Sequence, residues 1–381
     1  MNYKIYLNHI FFFILIFYLI FQTGIHSDDY TIIEIFQKNY FANYFNFDSK
    51  GQNIYAPLNY YLIYWIYAVA SNELLFIYDF FKIFLHFICY FLIYLFLSDY
   101  FKKKEASIFS FIYLFYPIHD ANNYWLMTCG FTLTISLAMF AVYLLKKNFY
   151  ILGFLISLSG AFFFYSSPPF IIGLSTIFLV KKDYTKFLCI FIPGCIYIFY
   201  YLFIKLYFYD LEFDNKIVIS NNYLLLFYNF LLQIITTLEV QFGPSNYIKI
   251  INSFNYFDFF GLCAIITTLF IFKNSFQNIK FSKELIICFL SIIILSIFML
   301  SLTGRYFHSS FNLGNRVNIY SSLFFFIIIY LIRNFKFVIW IYLSIILLCI
   351  FNLSNHWKNW NLKQIDIISN INNSIELENI N

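Results

Sequence analysis

Long apolar runs, separated by short polar segments, follow one another along most of the chain. The first covers about residues 5–21 and the last about residues 337–353. A helix that crosses a bilayer needs about 20 apolar residues, with a range of about 17–25. The pattern predicts an all-α, polytopic integral membrane protein with a transmembrane domain at residues 1–353 and a polar C-terminal tail at 354–381.

Basic clusters give these runs a direction, because Lys and Arg mark the cytoplasmic ends of spans. Adjacent basic residues occur at Lys102–Lys104, Lys146–Lys147 and Lys181–Lys182. If these clusters face the cytoplasm and the chain alternates between them, about eleven spans result. The predicted spans are 5–21, 74–98, 106–117, 126–145, 148–165, 170–180, 187–208, 255–272, 284–302, 317–332 and 337–353.

Two apolar stretches do not fit as crossings. The stretch 54–70, "IYAPLNYYLIYWIYAVA", would leave Lys102–Lys104 on the wrong side, and its Tyr and Trp residues favour the headgroup level. We predict that it lies in the interface as part of a first outer loop, residues 22–73. The stretch 222–240 lies in an outer segment and is either a second interfacial helix or a re-entrant one.

Composition supports a lipid environment. Hydrophobic residues make up 62% of the chain and charged residues 11%, whereas soluble domains carry about 25% charged residues. The net charge of +5 belongs mostly to cytoplasmic loops and forms no basic stripe, so no nucleic-acid partner is expected. The seven cysteines lie in apolar runs without a CxxC spacing and are expected to be small buried hydrophobic residues.

Two adjacent acids follow the first span within a few residues, in "QTGIHSDDY". The neighbouring carboxylates of Asp28 and Asp29 repel one another, which favours a raised pKa for one of them. A carboxylate at a lipid–water boundary is suited to act as a general base toward a hydroxyl. We therefore predict Asp28 and Asp29 as the catalytic pair, with Asp120 and the adjacent His119 as a second acidic site on the same face.

Basic residues on the predicted outer face point to a phosphate partner. Arg305 and Arg316 share one short outer loop, and arginine binds phosphate through two parallel hydrogen bonds. Lys82 lies near the outer end of the second span and can extend toward the same boundary. Together with a carboxylate base, these residues predict an enzyme that acts on a lipid-linked phosphate ester.

Three segments resemble the GT-C glycosyltransferases, polytopic enzymes that include the protein O-mannosyltransferases and the lipid A aminoarabinose transferase. These segments are "HSDDY", "YAPLNYYLIYW" and "GNRVNIYSS". The family's Lys-Pro-Pro-Leu segment reads Tyr55-Ala56-Pro57-Leu58 in this chain, so the family's phosphate-binding Lys is absent there. The resemblance covers roughly residues 1–145 and 300–332.

The resemblance implies inverting transfer of a sugar from a polyprenyl-phosphate donor to a hydroxyl of a glycan, lipid or protein acceptor. An Asp would be the base, and Arg316 would contact the lipid phosphate. The site would face the non-cytoplasmic side of the plasma membrane, in contact with membrane lipid. A divalent cation, Mg²⁺ or Mn²⁺, at Asp28, Asp29 and Asp120 is left open.

Two alternatives share part of this pattern. A lipid-linked sugar flippase would need charges along a membrane passage and often has repeat symmetry, whereas Asp79 and Lys82 lie near one end of their span and no repeat is visible. An outer-face polysaccharide polymerase or ligase would use Arg and His in a large late loop, and segment 209–254 contains neither.

Overall fold

The computed structural model describes residues 3–34, 36, 52–70, 75–207, 222–273, 275–276, 279–303, 306–311 and 313–372. Over these residues the regular structure is helical and no strand occurs. The predicted all-α fold class is therefore confirmed.

The helices begin and end where the sequence supplies the expected signals. Pro57, Pro168 and Pro244 each stand in the first turn of a helix, where the missing N–H costs nothing. Asn222 and Asp258 cap two further helices by accepting hydrogen bonds from backbone N–H groups. The α-helices are α1 (Tyr3–Ile20), α2 (Gln52–Tyr55), α3 (Pro57–Ile63), α4 (Trp65–Val69), α5 (Leu75–Leu97), α6 (Lys103–Leu114), α7 (Ala121–Tyr124), α8 (Cys129–Lys146), α9 (Tyr150–Phe163), α10 (Pro168–Val180), α11 (Tyr184–Tyr207), α12 (Tyr223–Phe242), α13 (Pro244–Ser253), α14 (Phe259–Phe272), α15 (Lys283–Thr303), α16 (Phe324–Ile332) and α17 (Lys336–Asn372).

Shorter helical segments connect these elements. One helical stretch covers residues 28–34, directly after the loop that follows α1. The 3₁₀-helices of the described residues are Pro117–His119, Leu126–Thr128, Phe254–Tyr256, Leu313–Ile319 and Ser321–Leu323.

Within the described residues, six helical segments are long and apolar enough to cross a bilayer, which supports a membrane-embedded protein. The outward faces of these helices expose large apolar side chains such as Phe84, Phe199 and Phe298, which is a surface suited to contact with lipid. The six segments are Leu75–Leu97, Leu126–Lys146, Tyr184–Ile204, Tyr223–Tyr256, Lys283–Leu302 and Lys336–Ile371.

The expected number of about eleven spans does not agree with these six. In the part of the chain that the structure describes, five further apolar helices contain only 10–17 residues each. At about 1.5 Å per residue they fall short of a hydrocarbon core of about 30 Å. The predicted span 106–117 corresponds to α6, a helix of 12 residues that lies almost entirely buried among its neighbours. Counting apolar runs therefore overestimated the full-length crossings, because a run buried by other helices is as apolar as one that faces lipid.

The two stretches that did not fit as crossings also differ from one another. Residues 54–70 break into α2, α3 and α4, so they form no continuous helix of spanning length. At the end of α2, two backbone carbonyls accept hydrogen bonds from tyrosine hydroxyls of α11. Tyr197 donates to the Tyr55 carbonyl at 2.5 Å, and Tyr200 donates to the Ile54 carbonyl at 2.9 Å. The other stretch forms α12, which with α13 belongs to one of the six candidate spans.

The bundle has two chemically different ends. Lysines gather at one end, where Lys146 and Lys147 lie 3.6 and 3.7 Å from the Asp99 carboxylate and Lys181 lies 3.0 Å from that of Glu284. We call this the lysine end. The opposite end, which we call the site end, carries the loop after α1 together with the segments 115–128, 306–311 and 313–323.

The last helix reaches the site end and continues beyond it. Residues 354–372, predicted as the start of a separate tail, extend α17 without a break. Ser354 donates a hydrogen bond to the Leu19 carbonyl at 2.7 Å, and Asn361 donates to the Gln22 carbonyl at 3.1 Å. The polar part of α17 therefore packs against the loop that follows α1.

Close packing of α10 against α15 gives a test of the fold. A Cβ on Gly173 would lie 2.9 Å from the Cα of Ile292, whereas a Cβ on Gly314 would meet no atom within 4 Å. We expect Gly173→Ala to destabilise the detergent-solubilised protein by about 1–3 kcal/mol, the usual cost of overpacking. Gly314→Ala is the control and should leave the thermal midpoint unchanged. Equal midpoints for both variants would show that the two helices do not approach as closely as described.

Candidate functional site

The loop after α1 is held to the first turns of α5 by one ion pair. The Asp79 carboxylate accepts hydrogen bonds from the backbone N–H groups of Gln22 at 2.8 Å and Gly24 at 2.9 Å. The Lys82 ammonium lies 3.2 Å from Asp79 and donates to the Thr23 hydroxyl at 2.7 Å and to the Gly24 carbonyl at 2.5 Å. Because Asp79 and Lys82 are three residues apart on one helix, both face the loop.

Lys82 was predicted to contact a lipid phosphate, and the structure places it elsewhere. Its side chain is fully buried, and a third hydrogen bond reaches the Tyr124 carbonyl at 3.2 Å. The three N–H groups of an ammonium are thus matched by three protein oxygens besides Asp79. Lys82 supports the loop that carries the aspartate pair.

The two adjacent aspartates have different environments. Asp28 is exposed and accepts a hydrogen bond from the Ser27 hydroxyl at 3.3 Å. Asp29 is fully buried. Its carboxylate accepts from the Tyr67 hydroxyl at 2.5 Å, from the His26 N–H at 2.9 Å and from the Met127 N–H at 3.2 Å. Asp28 is therefore the member of the pair that a substrate can reach, and Asp29 ties three segments together.

Burial governs the protonation of Asp29. It raises the pKa of this carboxyl from 3.8 to about 6, and the hydrogen bonds from His26 and Tyr67 oppose the shift. The predicted raised pKa thus falls on Asp29, and its cause is desolvation. Repulsion from the neighbouring Asp28 carboxylate, the cause expected from the sequence, is not among the causes of this shift.

Asp120 forms a second buried polar centre. Its carboxylate accepts hydrogen bonds from the Lys249 ammonium at 2.7 Å, from the Asn315 amide and from the Trp357 indole N–H at 2.9 Å. Lys249 also donates to the Ser310 carbonyl at 2.7 Å. Four separate parts of the chain therefore meet at Asp120.

His119 faces away from this centre. Its Nδ1 lies 2.5 Å from the Ser322 hydroxyl and its Nε2 lies 3.1 Å from the Leu114 carbonyl. The imidazole is fully buried, and burial lowers its pKa to about 4. Of the predicted second acidic site, Asp120 lines a cleft, while His119 joins α6 to the start of α16.

The guanidinium of Arg316 lies close to two aromatic rings. Its Cζ is 5.4 Å from the centroid of the Trp125 ring and 5.2 Å from that of Tyr306, within the range of cation–π attraction. The Arg316 carbonyl accepts a hydrogen bond from Asn122 at 2.7 Å. Its predicted companion Arg305 lies outside the described residues.

Segment 125–127 connects Arg316 with the aspartate pair. The Trp125 ring contacts Arg316, and two residues later the Met127 N–H donates to Asp29. A second connection runs through two phenols. Burial raises the pKa of the Tyr64 phenol, and Asp29, Tyr165 and Asp28 raise it further. Burial also raises the pKa of Tyr165, whereas the charge of Arg316 lowers it. The contacts of segment 125–127 therefore place Arg316 and the aspartate pair in one neighbourhood at the site end.

Several buried polar groups in this neighbourhood have no hydrogen-bond partner within the described part of the chain. These include both amide atoms of Asn59, the indole N–H of Trp125 and the Ser166 hydroxyl. Asn59 belongs to the tyrosine-rich stretch, and a Cβ on Gly130 would lie 2.2 Å from its Oδ1. An unpaired buried polar group costs about 1–3 kcal/mol, so these atoms are hydrogen-bonding capacity that the described residues do not use.

Two cavities open near these residues. An apolar groove of about 350 Å³ lies between α10, α11 and α15 and includes Tyr306 in its lining. A larger cleft of about 980 Å³ lies against the second half of α17 and is lined by His26, Ser27, Asp120 and Lys249, among others. Arg316 touches the groove through Tyr306, and Asp28 borders the cleft through Ser27.

The described residues contain no group of three or more His, Cys, Asp or Glu side chains placed to hold a metal ion. Asp29 and Asp120 each direct their oxygens at protein N–H or O–H donors, so they do not join Asp28 in one ligand set. A divalent cation stays a prediction, and no step below uses one.

Important contacts in this region were absent from the sequence-based hypothesis. The hypothesis did not include Lys249, and Trp357 belongs to the segment that was predicted to be a separate tail. Tyr67 was one of many tyrosines in a chain that contains 35. The only signal for Lys249 was a charged residue next to an apolar stretch, a place where charge is costly unless it is paired or used.

The pKa of Asp29 predicts a pH dependence of stability. A folded-state pKa of about 6 exceeds the unfolded value of about 3.9, so this group stabilises the fold fully below about pH 4 and loses that effect as the pH rises through about 6. Two pKa units correspond to about 3 kcal/mol. The thermal midpoint of the wild type, relative to Asp29→Asn, should fall between pH 4 and 7. A constant difference between the two proteins over this range would contradict the assignment.

The Asp120–Lys249 pair predicts strong coupling between its members. Lys249→Met should destabilise the protein by about 3–5 kcal/mol, because it leaves a buried carboxylate without its cation. The double variant with Asp120→Asn should lose less than the sum of the two single losses. A double-mutant cycle on thermal or denaturant unfolding measures this, and additive losses would mean that the pair does not form.

No protein-family model matches this chain, and neither curated proteins nor solved structures gave a match. The likeness to GT-C glycosyltransferases rests on the three quoted sequence segments alone. A functional assignment has to be argued from the side chains at the site end.

Proposed function

We propose that this protein is a membrane glycosyltransferase. It would transfer a sugar from a polyprenyl-phosphate donor to an acceptor hydroxyl, with inversion at the anomeric carbon. We place the reaction at the non-cytoplasmic face of the plasma membrane, because the lysine end has the charge expected of the cytoplasmic side. The observation that carries the proposal is the position of Arg316, beside an apolar groove and in the neighbourhood of the aspartate pair.

The groove has the chemistry expected of a site for a prenyl chain. Pro168, Pro169, Ile172 and Phe298 are among the residues that line it, and it lies between helices near the end of the bundle. An apolar tail in such a groove would bring its phosphate to the level of Tyr306. Arg316, which packs against the Tyr306 ring, is then the nearest candidate to bind that phosphate through its planar guanidinium.

The exposed aspartate supplies the base. Asp28 would take the proton from the acceptor hydroxyl as the hydroxyl oxygen attacks the anomeric carbon. The bond between that carbon and the phosphate oxygen breaks, and the electron pair leaves with the lipid phosphate. Arg316 stabilises the negative charge that develops there. Neither a redox step nor a further reactant is required.

Asp29 and Lys82 act as positioning residues in this scheme. Asp29 holds the N–H groups of His26 and Met127, so it fixes the distance between the aspartate loop and the segment that contacts Arg316. Lys82 and Asp79 anchor the start of the same loop. Both supports are buried, which favours a fixed geometry before substrate arrives.

The proposal can be tested with a simple lipid probe. Purified protein in nanodiscs should bind farnesyl phosphate more tightly than farnesol, and Arg316→Gln should weaken binding of the phosphate by about tenfold or more, since it removes a charge-assisted contact. Arg333→Gln is a matched control: Arg333 lies at the lysine end and also packs on an aromatic ring, with its Cζ 4.1 Å from the Tyr330 centroid.

Asp28→Asn should retain farnesyl phosphate binding, because a general base acts on the acceptor. Thermophoresis or native mass spectrometry would provide the affinities. Equal binding of the phosphate and the alcohol, or equal effects of the Arg316 and Arg333 variants, would rule out the assigned donor site.

A further inference from the structure

The cleft beside α17 has a mixed aromatic and polar lining. Trp357, Trp360, Tyr256 and Phe311 supply rings, and the uncharged polar lining residues include Asn252, Asn255, Asn315, Gln364, His356 and His26. Pyranose sugars present apolar C–H faces together with hydroxyl groups at their edges. A lining that alternates ring surfaces with amides matches both features.

The charges in the cleft cancel one another. Asp120 and Lys249 are the only Asp, Glu, Lys or Arg residues in its described lining, and they form an ion pair of 2.7 Å. A cleft with no excess positive charge gives little attraction to phosphate or to anionic headgroups. Its electrostatics favour a neutral ligand.

Hydrogen-bonding capacity is left over inside the cleft. The Nε2 of His26 is buried and has no partner among the described residues, while its Nδ1 lies 3.0 Å from the Gln364 Oε1. Burial lowers the pKa of His26 to about 3, so the ring is neutral. With Nδ1 as donor to Gln364, Nε2 is an acceptor for a ligand hydroxyl. The Asp120 carboxylate likewise has lone pairs beyond its three present donors.

The size of the cleft sets the scale of the ligand. Its volume of about 980 Å³ lies at the upper end of ordinary small-molecule sites, which cover about 300–1,000 Å³. The Trp360 side chain keeps 49% of its surface exposed, which leaves a ring face open for stacking. Trp357, by contrast, is buried and fixes Asp120 through its indole N–H.

We propose that this cleft binds a neutral oligosaccharide, with one sugar ring stacked on Trp360 and hydroxyls contacting Asp120 and His26. The saccharide would be the acceptor glycan. As a saccharide site the cleft stands on its own lining, whereas its acceptor role rests on the proposed function. Ser27 lines the cleft and donates to Asp28, so an acceptor hydroxyl at this edge would lie next to the candidate base.

Soluble neutral disaccharides provide the probe. Maltose, cellobiose, chitobiose and α-mannobiose are titrated against the full-length protein in nanodiscs by calorimetry and by saturation-transfer NMR. At least one should bind, and Trp360→Ala should weaken it by about tenfold or more, as expected for loss of a stacked aromatic anchor. Trp65→Ala is the matched control, since Trp65 is 38% exposed and does not line the cleft.

A second variant and a second ligand distinguish a local effect in the cleft from misfolding of the protein. Gln364→Ala removes the hydrogen-bond partner of His26 from a partly exposed helix surface and should also weaken the disaccharide. Farnesyl phosphate binding is measured on the same samples and should not change in either variant. Intact farnesyl phosphate binding shows that a weakened disaccharide response arises in the cleft.

The two proposals can fail separately. If farnesyl phosphate binds in an Arg316-dependent manner but no disaccharide binds, the saccharide cleft is wrong and the donor site stands. If a disaccharide binds through Trp360 but farnesyl phosphate does not distinguish Arg316→Gln from wild type, the donor site is wrong and the cleft stands. Trp360-dependent binding of Ser- and Thr-containing peptides in place of the disaccharides would also overturn the saccharide assignment.

Discussion

The loop that carries the aspartate pair depends on the buried ion pair of Asp79 and Lys82. Between them these two side chains bind backbone or side-chain groups of Gln22, Thr23 and Gly24. Removing one member of a buried pair leaves an uncompensated charge and costs about 3–5 kcal/mol. The backbone at Gly24 adds a further constraint, because its φ of +64° is a conformation that glycine adopts without strain. The direction in which the chain leaves α1 is thereby fixed.

Once the loop is anchored in this way, the two neighbouring aspartates differ in exposure to solvent. The chain enters a helical stretch at residue 28, which turns Asp28 outward and Asp29 inward. Asp29 then meets Tyr67 and Met127 and becomes part of the support. Asp28 keeps a solvent-accessible carboxylate beside the cleft. One member of the tandem pair thus supports the fold, and the other is open to solvent and free for the role that we propose.

Polar chemistry is concentrated at one end of an otherwise apolar bundle. Arg316 lies beside the groove, and Asp120, Lys249 and the rings of α17 line the cleft; we propose the first as the donor site and the second as the acceptor site. Each buried charge there has a partner of opposite sign or several hydrogen bonds, as burial in a low-dielectric setting requires. The groove and the cleft therefore both open at the polar end of the bundle, and Asp28 borders the cleft through Ser27.

The order of apolar runs and lysine clusters was enough to predict an all-α membrane protein and its two chemically distinct ends, because lipid exposure and charge placement act locally along the chain. The same features did not predict the number of full-length crossings. The 12 residues of α6, for example, are apolar because they pack against other helices and not because they cross the bilayer. Nor does periodicity reveal that residues 354–372 extend α17, or that Trp357 binds Asp120. Contacts between residues far apart in sequence follow from how helices pack, and the same local pattern is compatible with many packings. The tertiary structure alone decided that Lys82 is a support, that Lys249 pairs with Asp120, and which of the two adjacent aspartates stays open to solvent.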